Sequence, residues 1–309
     1  MISTSVSCLE EALCSRRFVI TAEVTPPVSC AADDLLRLAL PLRGLVDAIN
    51  LTDAASARAH MSAPIAATLL ARAEFEPILQ LTCRDRNRLA LQGTLMGAAA
   101  CGVRNVLCLM GDDPNAGDQP ESKGVFDIDA AGLMRIARML RDEGKLPSGR
   151  AVAGRAPFFI GAADIPIDPP ADWHPERLAA KAQAGAQFVQ TQFCMDASVA
   201  RRYAARVKQH ALTRELFLII GVAPMRSAKS ARWMAKHLYG SIIPEHLIAR
   251  LESAPDAAAE GERICVELIE ELAGSPGIAG VHVMAPANVA ALPRVIAEAR
   301  RRLGDAGRS

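Results

Sequence analysis

Aromatic side chains are scarce in this 309-residue chain, where eight Phe, two Trp and two Tyr make up 4%. The core must be filled mainly by Ala, Leu, Val and Ile, a composition that suits parallel strands and packed helices. Excess charge is also missing. Lys and Arg number 35 against 34 for Asp and Glu, so a formal net charge of +1 provides no field to draw in nucleic acid or an anionic membrane. No apolar run reaches the ~18 residues of a spanning helix. The eight cysteines are scattered without a C-x-x-C, and Cys101, Cys108, Cys194 and Cys265 sit in apolar stretches. They read as reduced thiols of a cytoplasmic protein, since disulfide scaffolds are typically short secreted chains. The six histidines show no H-x-x-x-H or H-x-H spacing, which leaves no metal site to assign. No G-x-S-x-G follows a strand, which removes the usual serine-hydrolase elbow.

The first residues lack both a basic start and a long apolar segment. Ser7 and Glu10 instead have the spacing of a capping box, so an N-terminal helix is expected there and not a leader. The basic runs at 84–88, 201–206 and 301–303 carry no interleaved aromatics and read as solvated faces and helix ends.

Eight short runs rich in Val, Ile and Leu are present, starting at Phe18, Val46, Pro77, Asn105, Pro157, Gln187, Leu216 and Ala279. Five of the seven spacings lie near 30 residues, the length of a strand, its crossover helix and two loops. The long gaps hold a Gly/Pro-rich polar loop after the fourth run and three helical segments after the seventh. This predicts an α/β fold: one (β/α)8 barrel, a TIM barrel spanning 1–309, with an extra N-terminal helix and a helical insert after strand 7. The rival is an open doubly wound sheet with an added helical domain. The missing G-x-G-x-x-G after the first strand weighs against it.

Barrel chemistry gathers at the carboxyl ends of the strands. The residues expected there include Glu23, Thr52, Asp53, Thr82, Arg84, Asp85, Asp112, Asp113, Asp164, Gln190, Thr191, Gln192 and His282. A carboxylate at a strand mouth beside two prolines, as Glu23 is, is placed to act as a general acid. Gln190 and Gln192 alternate along one strand, which puts both amides on one face with Thr191 on the other. They would serve either a polar heterocycle or each other.

These strand ends, in order, resemble the methylenetetrahydrofolate reductase family in its bacterial single-domain form, a flavin-dependent barrel. The likeness covers about residues 17–300. It rests on AEVTPP (22–27), NLTD (50–53), LQLTCRDRN (79–87), LMGDDP (109–114), KAQAGAQFVQTQFCMD (181–196) and GVAPMRS (221–227). The resemblance implies reduction of 5,10-methylenetetrahydrofolate to 5-methyltetrahydrofolate by NADH or NADPH, with the direction of flow open. FAD is the implied cofactor, ahead of FMN. It implies Glu23, Asp112 and Gln192 as catalytic residues and Glu23, Gln190 and Gln192 as substrate contacts. The cofactor contacts it implies are Thr52, Gln80, Leu109, Gly111, Asp112, Ala163, Asp164 and Lys181. Gln80 replaces the histidine common at its position, and GAADIP at 161–166 replaces a Y-P-E-x-H-P form. The expected partners are a small-molecule folate and further copies of the chain, with no nucleic acid and no membrane. The alternatives are a pterin-handling barrel methyltransferase and a silent flavin- or folate-binding subunit.

Overall fold

The computed structural model describes residues 6–286 and 288–304. The eight apolar runs form β1 (Val19–Val24), β2 (Ala48–Leu51), β3 (Pro77–Thr82), β4 (Asn105–Leu109), β5 (Phe159–Asp164), β6 (Phe188–Phe193), β7 (Phe217–Val222) and β8 (Ile278–Val283). They close into a barrel in chain order, and every neighbouring pair is parallel. Helix α1 (Cys8–Cys14) precedes the barrel. The crossovers are α2 (Ala32–Ala39), α3 (Ala63–Arg72), α4 (Arg88–Ala100), α5 (Ala130–Asp142), α6 (Glu176–Ala184) and α7 (Ala197–Gln209). The expected insert after β7 is α8 (Ala228–His237), α9 (Glu245–Ser253) and α10 (Ala257–Ala273), and α11 (Leu292–Leu303) follows β8.

Several crossover helices begin on a side-chain cap supplied by the loop before them. Asn87 accepts from Ala90 N at 3.0 Å, and Asp129 accepts from Gly132 N at 2.6 Å. Asp196 takes the N–H groups of both Ser198 and Val199. These caps satisfy amides the first turn leaves free, so each loop ends at a defined residue on the mouth side of the barrel.

Two apolar cores result. One lies between strands and helices. The other fills the barrel from below, where Val19, Ala48, Ile78, Leu107, Phe159, Phe188 and Ile219 meet Leu9, Ala12 and Leu13 of α1. Helix α1 thus closes the amino-terminal end. Ser7 caps it as expected, accepting from Glu10 N at 2.9 Å, while the Glu10 carboxylate turns outward and accepts from Gln187 Nε2 at 3.2 Å.

The cysteines are unpaired, as expected. All eight are free thiols, and the buried ones are Cys83, Cys108, Cys194 and Cys265. Cys101 follows the last turn of α4, where the helix end opens to solvent, and is exposed despite its apolar neighbours in sequence. Burial pushes the Cys83 and Cys194 thiols up to about 11, and Cys108 and Cys265 higher. Since thiolate is the reactive form, an aromatic disulfide reagent at pH 8 should titrate Cys14, Cys30 and Cys101 rapidly. Cys8, raised by partial burial and the neighbouring Glu76 charge, should follow more slowly. The four buried thiols should react only after denaturant is added.

Candidate functional site

Strands β2 and β3 are buried along their whole length, and the open positions of β7 and β8 lie at their amino-terminal ends. The other four open at the opposite end. Glu23 is the one residue of β1 that is not buried, Leu109 the one of β4, Gln192 the one of β6, and Ala163 and Asp164 are the pair of β5. Every one of them was expected from sequence, and together they outline the mouth.

Below the mouth, a polar layer crosses the lumen. Asn50 and Gln190 stand on non-adjacent strands and exchange amide hydrogen bonds, Asn50 Nδ2 to Gln190 Oε1 at 2.5 Å and Gln190 Nε2 to Asn50 Oδ1 at 3.0 Å. Gln190 Nε2 also donates to Thr21 Oγ1 at 3.1 Å, and Thr21 Oγ1 lies 2.9 Å from His282 Nδ1. Gln80 Nε2 donates to Glu23 Oε2 at 3.3 Å, which ties β3 to β1 across the opening. Both ends of the Gln190 amide are therefore engaged within the barrel, and its side chain forms part of the floor of the mouth. Replacing Asn50 alone by Leu leaves that amide buried without its partner, at a cost of about 1–3 kcal/mol. The double change Asn50→Leu/Gln190→Leu should cost less than the two single changes added together, as urea unfolding would show.

Gln192 departs from the expected alternation. The pairing of β6 with β7 shifts between Gln190 and Phe193, so β6 carries an extra residue there. A bulge of this kind re-aims side chains and is common beside active sites. Thr191 Oγ1 uses it to accept from Gly221 N at 3.0 Å, and Gln192 Oε1 accepts from Phe193 N at 3.0 Å. The amide nitrogen of Gln192 is left as its donor end.

The β2 and β3 ends are locked by ions. The Asp53 carboxylate accepts from Thr82 N and Thr82 Oγ1, both at 2.9 Å, and from Arg86 at 2.6 and 3.1 Å. Arg84 is 2% exposed, donates to the Asp53 carbonyl at 3.2 Å and pairs with Asp85. This corrects the reading of 84–88 as a solvated face, because Arg84 and Arg86 turn inward to serve Asp53. Next to them Gly111 adopts φ +94°, and a Cβ there would stand 2.8 Å from Arg84 Cβ, so only glycine fits. The following Asp112 reaches across to the β2 loop, its Oδ2 accepting from Ser56 N at 2.9 Å. That loop holds Ala54, Ser56 and Ala57 at positive φ, a strained run of the kind found at binding loops. Asp113, by contrast, caps the turn at 114–116.

On the β5 side, Lys181 Nζ donates to the Ala163 carbonyl at 2.6 Å and to Asp164 Oδ1 at 3.0 Å, and the Tyr203 hydroxyl donates to Asp164. Burial, and then the Asp164 charge, push the Tyr203 phenol well above its ordinary range, so it remains a donor. The expected trio Ala163, Asp164 and Lys181 is thus one cluster, with the Asp164 side chain turned toward the helices.

Thr52 supplies a test of whether a polar group fits the mouth. Its Oγ1 is buried without a hydrogen-bond partner among the described residues, a deficit that a bound heterocycle with ring nitrogens and carbonyls could make good. Asn50, Thr21 and His282 gained no assigned role from sequence. The signal for Thr21 and Asn50 was a period-two pattern of polar residues ending otherwise apolar strands, Thr21/Glu23, Asn50/Thr52, Gln80/Thr82 and Gln190/Gln192, while His282 is a lone polar residue in an apolar run.

Comparison with known proteins adds the following. The family model described as methylenetetrahydrofolate reductase matches residues 8–300. The probable methylenetetrahydrofolate reductase (NADPH) of Caenorhabditis elegans is 26% identical over 72% of this chain and 32% of its own length. Methylenetetrahydrofolate reductase 2 of Schizosaccharomyces pombe is 27% identical over 66% of this chain and 32% of its own. The chain thus spans about a third of the length of these curated relatives. Among solved structures, an uncharacterized Clostridium thermocellum protein that binds two copies of 5-methyl-5,6,7,8-tetrahydrofolic acid superposes with a TM-score of 0.63. The alignment covers 95% of this chain and 98% of that one at 14% identity, a likeness of fold. No helix among the described residues is long and apolar enough to cross a membrane.

Proposed function

Since the chain belongs to the methylenetetrahydrofolate reductase family, we propose that it reduces 5,10-methylenetetrahydrofolate to 5-methyltetrahydrofolate at the expense of NADH or NADPH, with FAD as cofactor. The observation that carries this reading is the set of strand positions left open at the mouth, with Glu23 foremost among them. When bound, the flavin would supply a hydride carrier between nicotinamide and folate. The orphaned Thr52 hydroxyl is the group that would meet its ring, with Gln80, Leu109, Gly111 and Asp112 around it. The β5 end at Ala163 and Asp164, fixed from the helix side by Lys181, would line the β5 side of the same ligand.

The folate must open before it can accept hydride. Its five-membered ring breaks at one carbon–nitrogen bond, which leaves a cationic iminium, and the departing nitrogen requires a proton. Glu23 supplies that proton and becomes the carboxylate. Asp112, tied to Ser56 N at the rim, favours the iminium by its charge. Gln192 aligns the pterin by donating through its amide nitrogen, since its oxygen is held by Phe193 N. Gln190 acts one layer lower, as support for that floor.

The visible spectrum of the purified protein tests the reading. A yellow protein should bleach under anaerobic NADH or NADPH and recover its colour on addition of methylenetetrahydrofolate. A protein that stays colourless with added FAD would overturn the proposal and favour a pterin methyltransferase. Bleaching without recovery would point to a silent flavin-binding subunit.

A further inference from the structure

Strand β8 brings to Glu23 a residue that the proposed chemistry leaves without a role. His282 is 3% exposed, with Nδ1 2.9 Å from Thr21 Oγ1 and Nε2 3.8 Å from Glu23 Oε2. Thr21 Oγ1 already accepts from Gln190 Nε2, and Gln190 is fixed by its two bonds to Asn50. The Thr21 hydroxyl proton then has two acceptors in reach, His282 Nδ1 at 2.9 Å and the Val281 carbonyl at 3.4 Å. The shorter contact is the stronger one. With Nδ1 accepting, the single proton of the neutral imidazole sits on Nε2, the nitrogen that faces Glu23.

We infer that His282 is a positioning residue for Glu23, donating Nε2–H to its carboxyl group and holding the acid toward the folate nitrogen. The inference rests on Glu23 being the acid. At 3.8 Å the contact is longer than a hydrogen bond, and it must shorten when folate binds. Catalytic hydrogen bonds commonly tighten in this way once substrate is bound. When Glu23 releases its proton, the charge left on Oε2 meets two N–H donors, His282 Nε2 and Gln80 Nε2, in charge-assisted bonds. Thr21, Gln190 and Asn50 act through His282 by fixing its tautomer and ring plane.

Two substitutions separate the two ends of the ring. His282→Asn keeps an acceptor for Thr21 near the position of Nδ1 and loses the donor. His282→Gln keeps a donor near the position of Nε2. In the flavin-loaded enzyme, His282→Asn should lower kcat for methylenetetrahydrofolate by about 10- to 100-fold. KM and the bleaching by nicotinamide should hold, and His282→Gln should recover most of the loss. In a Glu23→Gln background, His282→Asn should cost nothing further. Independently of activity, nitrogen-15 NMR of histidine-labelled wild-type protein should show His282 neutral with its proton on Nε2. A proton on Nδ1, an unchanged kcat in His282→Asn, or equal losses in both half-reactions would each overturn the inference. If Glu23→Gln itself reduces folate at the wild-type rate, the acid assignment has failed. If Glu23→Gln is inactive toward folate while His282→Asn is not, only the role of His282 falls.

Discussion

Glu23→Gln is expected to leave the fold and the bleaching by nicotinamide intact while lowering methylenetetrahydrofolate turnover by about 10²- to 10⁴-fold. The change is nearly isosteric, and the new amide oxygen can still accept from Gln80 Nε2, which now reaches Glu23 Oε2 at 3.3 Å. The proton needed by the departing folate nitrogen is what disappears. Because Glu23 is the only residue of β1 that is not buried, no neighbour on that strand can stand in for it. Stopped-flow spectroscopy separates the steps: loss of flavin colour with nicotinamide should keep its rate, and recovery of colour with folate should not. Recovery at the wild-type rate would show that the acid lies elsewhere.

Phe188→Ala should be the most destabilising single truncation in the barrel floor, at about 3–5 kcal/mol. Phe188 is fully buried and stacks on Phe159 with ring centroids 4.8 Å apart. It fills the space that Gly161 leaves on the neighbouring strand, where a Cβ would overlap the Phe188 ring. Gly161→Ala alone should therefore destabilise by overpacking, about 1–3 kcal/mol. Combined with Phe188→Ala it should cost less, since the added methyl enters the cavity just made. Urea unfolding of the two single variants and the double variant measures the coupling. Simple additivity would show that the two residues do not share one space.

The strands were legible because buried parallel strands are apolar on both faces, so each appears as a short unbroken run. Six begin within two residues of the start of their run, and β3 and β4 begin on it. Glu23, Asp164 and Gln192 were legible for the same reason in reverse, as polar side chains at the ends of apolar runs, whereas Leu109 and Ala163 came only from the family resemblance. Hidden from the sequence were features made by closure. Asn50 and Gln190 are 140 positions apart and meet only because β2 and β6 face each other across the lumen. Arg84 and Arg86 looked like solvated charge until the β2 end delivered Asp53 to them. The bulge in β6 depends on how β7 pairs with it, and nothing in QFVQTQF announces it. Cys101 is exposed although its sequence neighbours are apolar, because those neighbours do not determine whether a helix end is covered in space.

Helix α1 sets a condition on traffic through the molecule. Its Leu9, Ala12 and Leu13 stopper the barrel from beneath, so among the described residues the lumen is closed at its amino-terminal end. On the proposed function, nicotinamide and folate would both have to reach the flavin from the mouth side, so the first should depart before the second enters. Initial-rate plots against either substrate at fixed levels of the other should then be parallel lines, and an excess of one substrate should block the entry of its successor.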